Sequence, residues 1–502
     1  MLPFFFYWFS ESVALTEHGS LPDEPHGGPV RDIWIFRALL VLLFWAPLPL
    51  GSNRIWAIGL LFASALALVI ACVVAWRHAL DEAARRIARF AVPLTLIAIM
   101  VLFAVAQTLP WPADWIAAVS PEAARVQEGS AASYLSLDVY QTRVVATLAF
   151  TYFCAFLVAV LSIRSFRRLD ALARLFVWSG VFQAALGSVL FSLGAHYWIF
   201  HFEMNHFRLF GTYGYHNSAA GYLVMCLSIG IGLMLARLGR GSHWPADWKH
   251  RLRAVFTFIL SPKMRLRILL VVMVIGLVLT RSRMGNASFF IALLVVGVFT
   301  IAVSRKSAPT TVALIDSLVI IDVVIVGSWV GIERVVQRIE DTEMTVGAGG
   351  REESVEARTE AGRVAMAVVE DFPWTGTGGG GFYASFLRYR TPRVGYVDHA
   401  HNDYVEITTD YGWPGLAVLG SLAALTLWQA LAVLVRRRAN LPRGIAFGAA
   451  MSIVALLIHS AVDFNLQIPA NALTMTVILA MVWIARELPS PSGSESAGRE
   501  AA

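Results

Sequence analysis

The sequence predicts an all-α integral membrane protein of about 12 transmembrane helices with one large extracytoplasmic loop, and three observations lead there. Of its 502 residues, 57% are hydrophobic and only 15% charged, a balance that no ordinary soluble domain could shield from water. Apolar runs close to the ~20 residues that cross a hydrocarbon core recur along most of the chain. Lys and Arg, finally, are shared unevenly between alternate loops.

Taken in order, residues 1–32 form an N-terminal segment in which MLPFFFYWF suits the membrane interface. The stretch from Glu11 to Asp32, containing PDEPHGGP, reads as a polar linker. Spans are expected at 33–50, 54–76, 90–107, 143–164, 171–195, 217–237, 266–280, 286–304 and 310–332, so that 33–332 holds the first nine. Residues 333–412 make the large loop. Spans 413–435, 443–463 and 471–486 fill 413–486, and 487–502, ending PSPSGSESAGREAA, reads as a disordered tail.

The formal charge of +6 does not point to nucleic acid, because the cations fall in loops between apolar runs rather than on one soluble face. With the N-terminus cytoplasmic, the inside loops hold 22 Lys and Arg, whereas the short outside loops hold five: Arg54, Arg125, Arg208, Arg281 and Arg283. The positive-inside rule selects this orientation, with both termini cytoplasmic. Cys72, Cys154 and Cys226 all lie inside apolar runs, where thiols behave as small hydrophobes, so neither disulfides nor a metal site is expected from them.

The outer face then carries the candidate chemistry. The large loop ends in VDHAHNDYVEITTDYGWPGLAVLG, where Asn402 or Asp403 can cap a helix starting near Tyr404 and WPG opens the next span. His401 falls at that helix start, as a proton acceptor near neutrality or as a capping residue. His399 and His401 have no further partner at zinc spacing. Upstream, FPWTGTGGGGF contains a literal G-x-G-x-x-G at Gly376, Gly378 and Gly381, which without a βαβ unit reads better as a turn that lets backbone approach closely than as a nucleotide fingerprint.

LTRSRMGN places Arg281 and Arg283 in a tight outer hairpin, against the charge rule. Guanidinium groups grip phosphate oxygens bidentately; the alternative is that they snorkel to lipid headgroups. A further outer loop brings Arg208, His206, His216 and Asn217 there among aromatics, with Arg208 as a third cation. His459 and Asp463 are spaced as an i, i+4 pair suited to a structural contact. Asp316 and Asp322, inside span 310–332, are intramembrane carboxylates with either a structural or a transport role.

Three separated pieces resemble the O-antigen ligase and polymerase superfamily of bacterial envelope polysaccharide enzymes. They are GTYGYHNSAAGYL at Gly211–Leu223, the SRMG of the outer hairpin, and EAGRVAMAVVEDFPWTGTGGGGF followed by HAHNDYVEITTDYGWPGL. They occur in the family's order between Phe207 and Pro469. The resemblance implies a membrane glycosyltransferase of C-type architecture in the bacterial inner membrane, active on the periplasmic side. It would move a glycan from a polyprenyl diphosphate carrier to a glycan, lipid A core or protein acceptor, with no cofactor, metal or nucleic acid. It further implies His401 as the base, Arg208 with Arg281 or Arg283 on the diphosphate, and Asn402, Tyr404, Asn217, Gly378 and Gly380 in support. A transporter or flippase of a lipid-linked precursor is the other class that the span count and Asp316 with Asp322 fit, although no repeated pair of interrupted helices accompanies them.

Overall fold

A computed structural model describes residues 32–130, 132–193, 208–237, 262–303, 355–390 and 398–489. Span 310–332 with Asp316 and Asp322, residue His206, the N-terminal segment before Asp32, residues 333–354 and the tail from 490 lie outside them. The described residues are helical, without a β-strand. In chain order the helices are α1 (Asp32–Trp45), α2 (Ile55–Trp76), α3 (Leu80–Arg89), α4 (Ala91–Gln107), the short α5 (Ala113–Val119) and α6 (Pro121–Val126), α7 (Val139–Ser162) and α8 (Phe166–Ser192). Then come α9 (His216–Ala236), α10 (Pro262–Leu279), α11 (Arg283–Val303), α12 (Val355–Asp371), α13 (Phe382–Tyr389), α14 (Asp403–Arg436), α15 (Asn440–Ser460) and α16 (Pro469–Glu487).

Among the described residues, eight helices are long and apolar enough to cross a membrane, or nine if α3 and α4, bent by 85°, count as one broken span. Every other expected run within the described residues falls on a helix, but α1 has only 14 residues and α10 opens with Lys263, Arg265 and Arg267. Among the described residues length and charge lower the count, and the expected run 310–332 lies outside them. Exposed side chains such as Leu102, Val298 and Trp428 make the outward faces apolar as well as the core, the pattern of helices solvated by lipid.

Helices α9 and α16 are buried along nearly their whole length and form the centre of the bundle. Against α9 lies α15, in contact so close that a Cβ on Gly232 would sit 2.1 Å from the Gly444 carbonyl oxygen. Small residues, including Gly444 and Gly448 four apart, let the two backbones meet as membrane helices do when dispersion, not water, drives association.

The ends of the bundle differ. At one, Arg86 donates to the Val160 and Ile163 carbonyls closing α7, Arg164 and Arg168 pair with Asp32, and Arg437 donates to the last carbonyls of α16. At the other end lie the loops 108–138, 208–215, 280–282, 372–381, 398–402 and 461–468, joined by Leu137 N to Thr377 O, Leu209 N to Leu279 O and Asp403 N to Asp463 O. Segment 108–138, expected only as a short outer loop, is the platform for α12: Ile116, Ala123 and Leu135 pack on Val368 and Phe372.

Gly232→Val is expected to lower stability by roughly 1–3 kcal/mol through overpacking, read as a depressed melting temperature of the purified protein.

Candidate functional site

At the loop-bearing end, Thr280 and Ser282 pin the α10–α11 hairpin. Thr280 Oγ1 donates to Leu277 O and accepts from Ser282 N, while Ser282 Oγ accepts from Gly285 N and caps α11. Both small side chains turn inward, which leaves Arg281 and Arg283 exposed. Next to this hairpin, through Leu209 N to Leu279 O at 2.9 Å, lies the loop carrying Arg208.

Arg208 Nη1 donates to His216 Nε2 at 2.6 Å. A guanidinium has only donors, so the imidazole accepts there. The neighbouring Tyr215 hydroxyl accepts from Asn217 Nδ2 at 2.9 Å, and its ring lies parallel to Phe464, 5.4 Å between centroids. Phe464 in turn meets His401 edge to face at 5.0 Å and His399 in a 4.2 Å stack. Ring contacts therefore connect Arg208 to the histidines of the α14 entry.

That entry is capped by Asn402, whose Oδ1 accepts from Tyr404 N at 3.0 Å and Val405 N at 3.2 Å. Asp403, the other possible cap, instead accepts from Ser460 Oγ and Leu466 N. Tyr404 donates to Leu457 O and ties α14 to α15. His401 is buried at 6% exposure with φ of 49°. Among the described residues only four other than glycine have positive φ, and two of them are His401 and Arg281. Such backbone costs on the order of 1–3 kcal/mol and concentrates where side chains must be aimed.

The glycine-rich turn does different work from phosphate cradling. Asp410 accepts from Gly380 N at 2.7 Å and Phe382 N at 3.1 Å, Gln107 Oε1 accepts from Gly379 N, and the Asp410 carbonyl accepts from Gly378 N. Its N–H groups are thus spent inside the protein. Gly378 has φ of 100°, and a Cβ there would lie 2.4 Å from Ser136 Oγ, so glycine is required for both reasons. The turn locks α12 and α13 onto the point where Gly412 interrupts α14.

Sequence reasoning missed Phe464, Tyr215, His399 as a paired group, Glu406, Asp410 and Gln107. The available signal was the acidic series Asp403, Glu406 and Asp410 in the run entering an apolar span, since carboxylates there need partners. Contrary to their i, i+4 spacing, His459 and Asp463 do not share a helix, because α15 ends at Ser460, although their side chains approach to 4.0 Å while buried. Among the described residues no group of three His, Cys, Asp or Glu side chains could hold a metal ion.

Glu406 Oε1 lies 2.7 Å from His399 Nδ1, and Glu406 Oε2 accepts from Ala400 N at 2.9 Å. Burial alone would lower the proton affinity of His399, but Glu406, with Asp398 and Asp403, reverses this and pushes it up to about 9.

Apolar helices with an arginine hairpin and a strained histidine at one end define a multi-pass membrane protein with a polar site built from its loops. Residues 268–420 match the family described as O-antigen ligase. The match supports the O-antigen ligase and polymerase superfamily for this chain, and with it a membrane glycosyltransferase engaged in polysaccharide biosynthesis. Arg281, Arg283, Gly378, Gly380, His401, Asn402 and Tyr404 lie inside the matched part, while Arg208 and Asn217 precede it. No curated protein matches the chain.

Two outcomes follow. Because the folded His399 binds its proton more tightly than an ordinary histidine near 6.5, its stabilisation is fully present below about 6.5 and lost as pH rises through about 9. The melting temperature of the native protein should fall across that window more steeply than that of His399→Gln. Asp410→Ala, which frees two backbone N–H groups, should cost roughly 1–3 kcal/mol and expose the 372–382 segment to hydrogen exchange.

Proposed function

We propose that the protein transfers a glycan from a polyprenyl diphosphate carrier to an acceptor hydroxyl on the extracytoplasmic face, by a single inverting displacement that uses no metal ion. The observation carrying this reading is that the Arg208 loop, the Arg281–Arg283 hairpin and His401 come together at one end of the bundle. Helices α9, α11 and α14 also begin there, so three helix N-termini add positive potential where an anion would lie.

Outside the membrane neither ATP nor nucleotide sugar is at hand, so the driving force arrives within the donor as its diphosphate leaving group. The acceptor oxygen attacks the anomeric carbon while the bond from that carbon to the diphosphate oxygen breaks on the opposite side. His401 takes the hydroxyl proton. Arg208, Arg281 and Arg283 stabilise the charge that collects on the departing diphosphate, the role a metal ion fills in other phosphate chemistry. Asn402 and Tyr404 hold the backbone turn that aims His401, Asn217 holds Tyr215, and Gly378 and Gly380 anchor the segment beside the site. The lipid tail of the donor remains in the outer leaflet, and the acceptor is a glycan, lipid A core or protein.

In an assay with purified protein and lipid-linked glycan, His401→Asn, which tolerates left-handed backbone, should keep the fold and lose transfer by about 10²–10⁴-fold. Unchanged transfer would remove His401 from the mechanism. Arg281→Ala and Arg283→Ala should weaken donor use, with Lys a poor substitute because it lacks the bidentate fork. Transfer should persist in a chelator; strict dependence on a divalent ion would overturn the metal-free reading.

A further inference from the structure

His399 has no part in the reaction above, yet its surroundings are built around it. Glu406, buried in the opening turn of α14, spends both carboxylate oxygens on this one segment, Oε1 on His399 Nδ1 and Oε2 on the Ala400 N–H. A carboxylate only accepts, so Nδ1 carries a proton. The imidazole is stacked on Phe464 with 15° between planes. Its other nitrogen, Nε2, makes no hydrogen bond among the described residues, and the side chain keeps 26% of its surface exposed. His401, on the same phenyl ring, is buried and set at 76° to it. Two histidines of one short segment are thus held on one ring in different ways, one enclosed and the other tethered at Nδ1 with its far edge open.

We infer that His399 is a further donor-binding residue, an imidazolium clamped by Glu406 and Phe464 that presents Nε2–H to the diphosphate oxygens of the lipid-linked substrate. The inference rests on the reading of this site as one that takes a polyprenyl diphosphate. The charged and titratable groups around His399 are Glu406 and Asp403 of α14, the adjacent Asp398, His401, Asp463 and His459 beyond Phe464, and His216 with Arg208 behind Tyr215. Of these, Glu406 above all, with Asp398 and Asp403, raises the proton affinity of the imidazole and keeps it protonated at neutral pH. Arg208 already donates to His216, so part of its fork is occupied. A cation fixed by a carboxylate and a stacked ring loses little side-chain entropy when it meets a phosphate, whereas an exposed arginine must first be ordered.

The test measures binding of undecaprenyl diphosphate to the purified full-length protein in nanodiscs of zwitterionic lipid, with undecaprenyl monophosphate in parallel and melting temperatures recorded for each variant. At pH 7, His399→Gln should weaken diphosphate binding by about tenfold, as loss of a charge-assisted hydrogen bond does, and affect the monophosphate less. His399→Arg should restore it. Native binding should decline between pH 7 and pH 10 (about the range in which an imidazole raised by a carboxylate deprotonates), while the Arg variant holds. Equal binding by His399→Gln and the native protein would overturn the inference. So would a folded His399→Arg that binds as weakly as the Gln variant, since shape rather than charge would then be at work. A folded native protein that binds no undecaprenyl diphosphate would instead bring down the underlying reading of the site.

Discussion

Phe464 touches rings that arrive from separate parts of the chain: His399 and His401 from the turn before α14, and Tyr215 from the loop before α9. Each such aromatic contact is worth about 0.5–1.5 kcal/mol beyond its buried area. Together they hold two strained or tethered histidines in register with the Arg208 loop. Asp463 reinforces the position of the ring, since its Oδ1 accepts from Phe464 N and its backbone carbonyl from Asp403 N. The 461–468 turn, unremarkable as sequence, therefore supplies the common surface on which the site is assembled.

Irregular backbone at the end of a membrane bundle must satisfy its polar groups from within the protein, and the acidic residues of the α14 entry meet that demand. Glu406 serves the Ala400 N–H, Asp403 serves Leu466, and Asp410 serves Gly380 and Phe382. Gln107 completes the set by donating to the Thr375 and Asp410 carbonyls while accepting from Gly379. A run of carboxylates that would be costly in an isolated apolar helix becomes the scaffold of the loops around it. The same logic operates at the opposite end, where arginines close the last carbonyls of α7 and α16.

Much of this was legible in the residues. Within the described residues apolar runs gave helices where expected, the Asn402 cap and the break beside WPG fell close to their predicted places, and the hairpin carrying Arg281 and Arg283 was visible from TRSRMG. The count of spans was less secure, because α1 is short, α10 begins among basic residues, and α3 meets α4 at 85°. Hydropathy registers apolar content, not the angle at which a segment enters the bilayer.

The sequence by itself determined that lipid is the solvent of this chain, which described segments are helical, and which loop residues carry charge or a titratable ring. Each of these depends on local composition or on spacing within one helix, and so can be read in one dimension. Tertiary structure alone decided that Glu406 holds His399 and raises its proton affinity, that Asp410 occupies the glycine turn, and that the Arg208 loop reaches the α14 entry through Tyr215 and Phe464. Asp410 with Gly380 and Tyr215 with Phe464 are far apart in sequence, and even His399 with Glu406 depends on how the chain turns into α14, so these contacts exist only once the helices pack and bring their ends together.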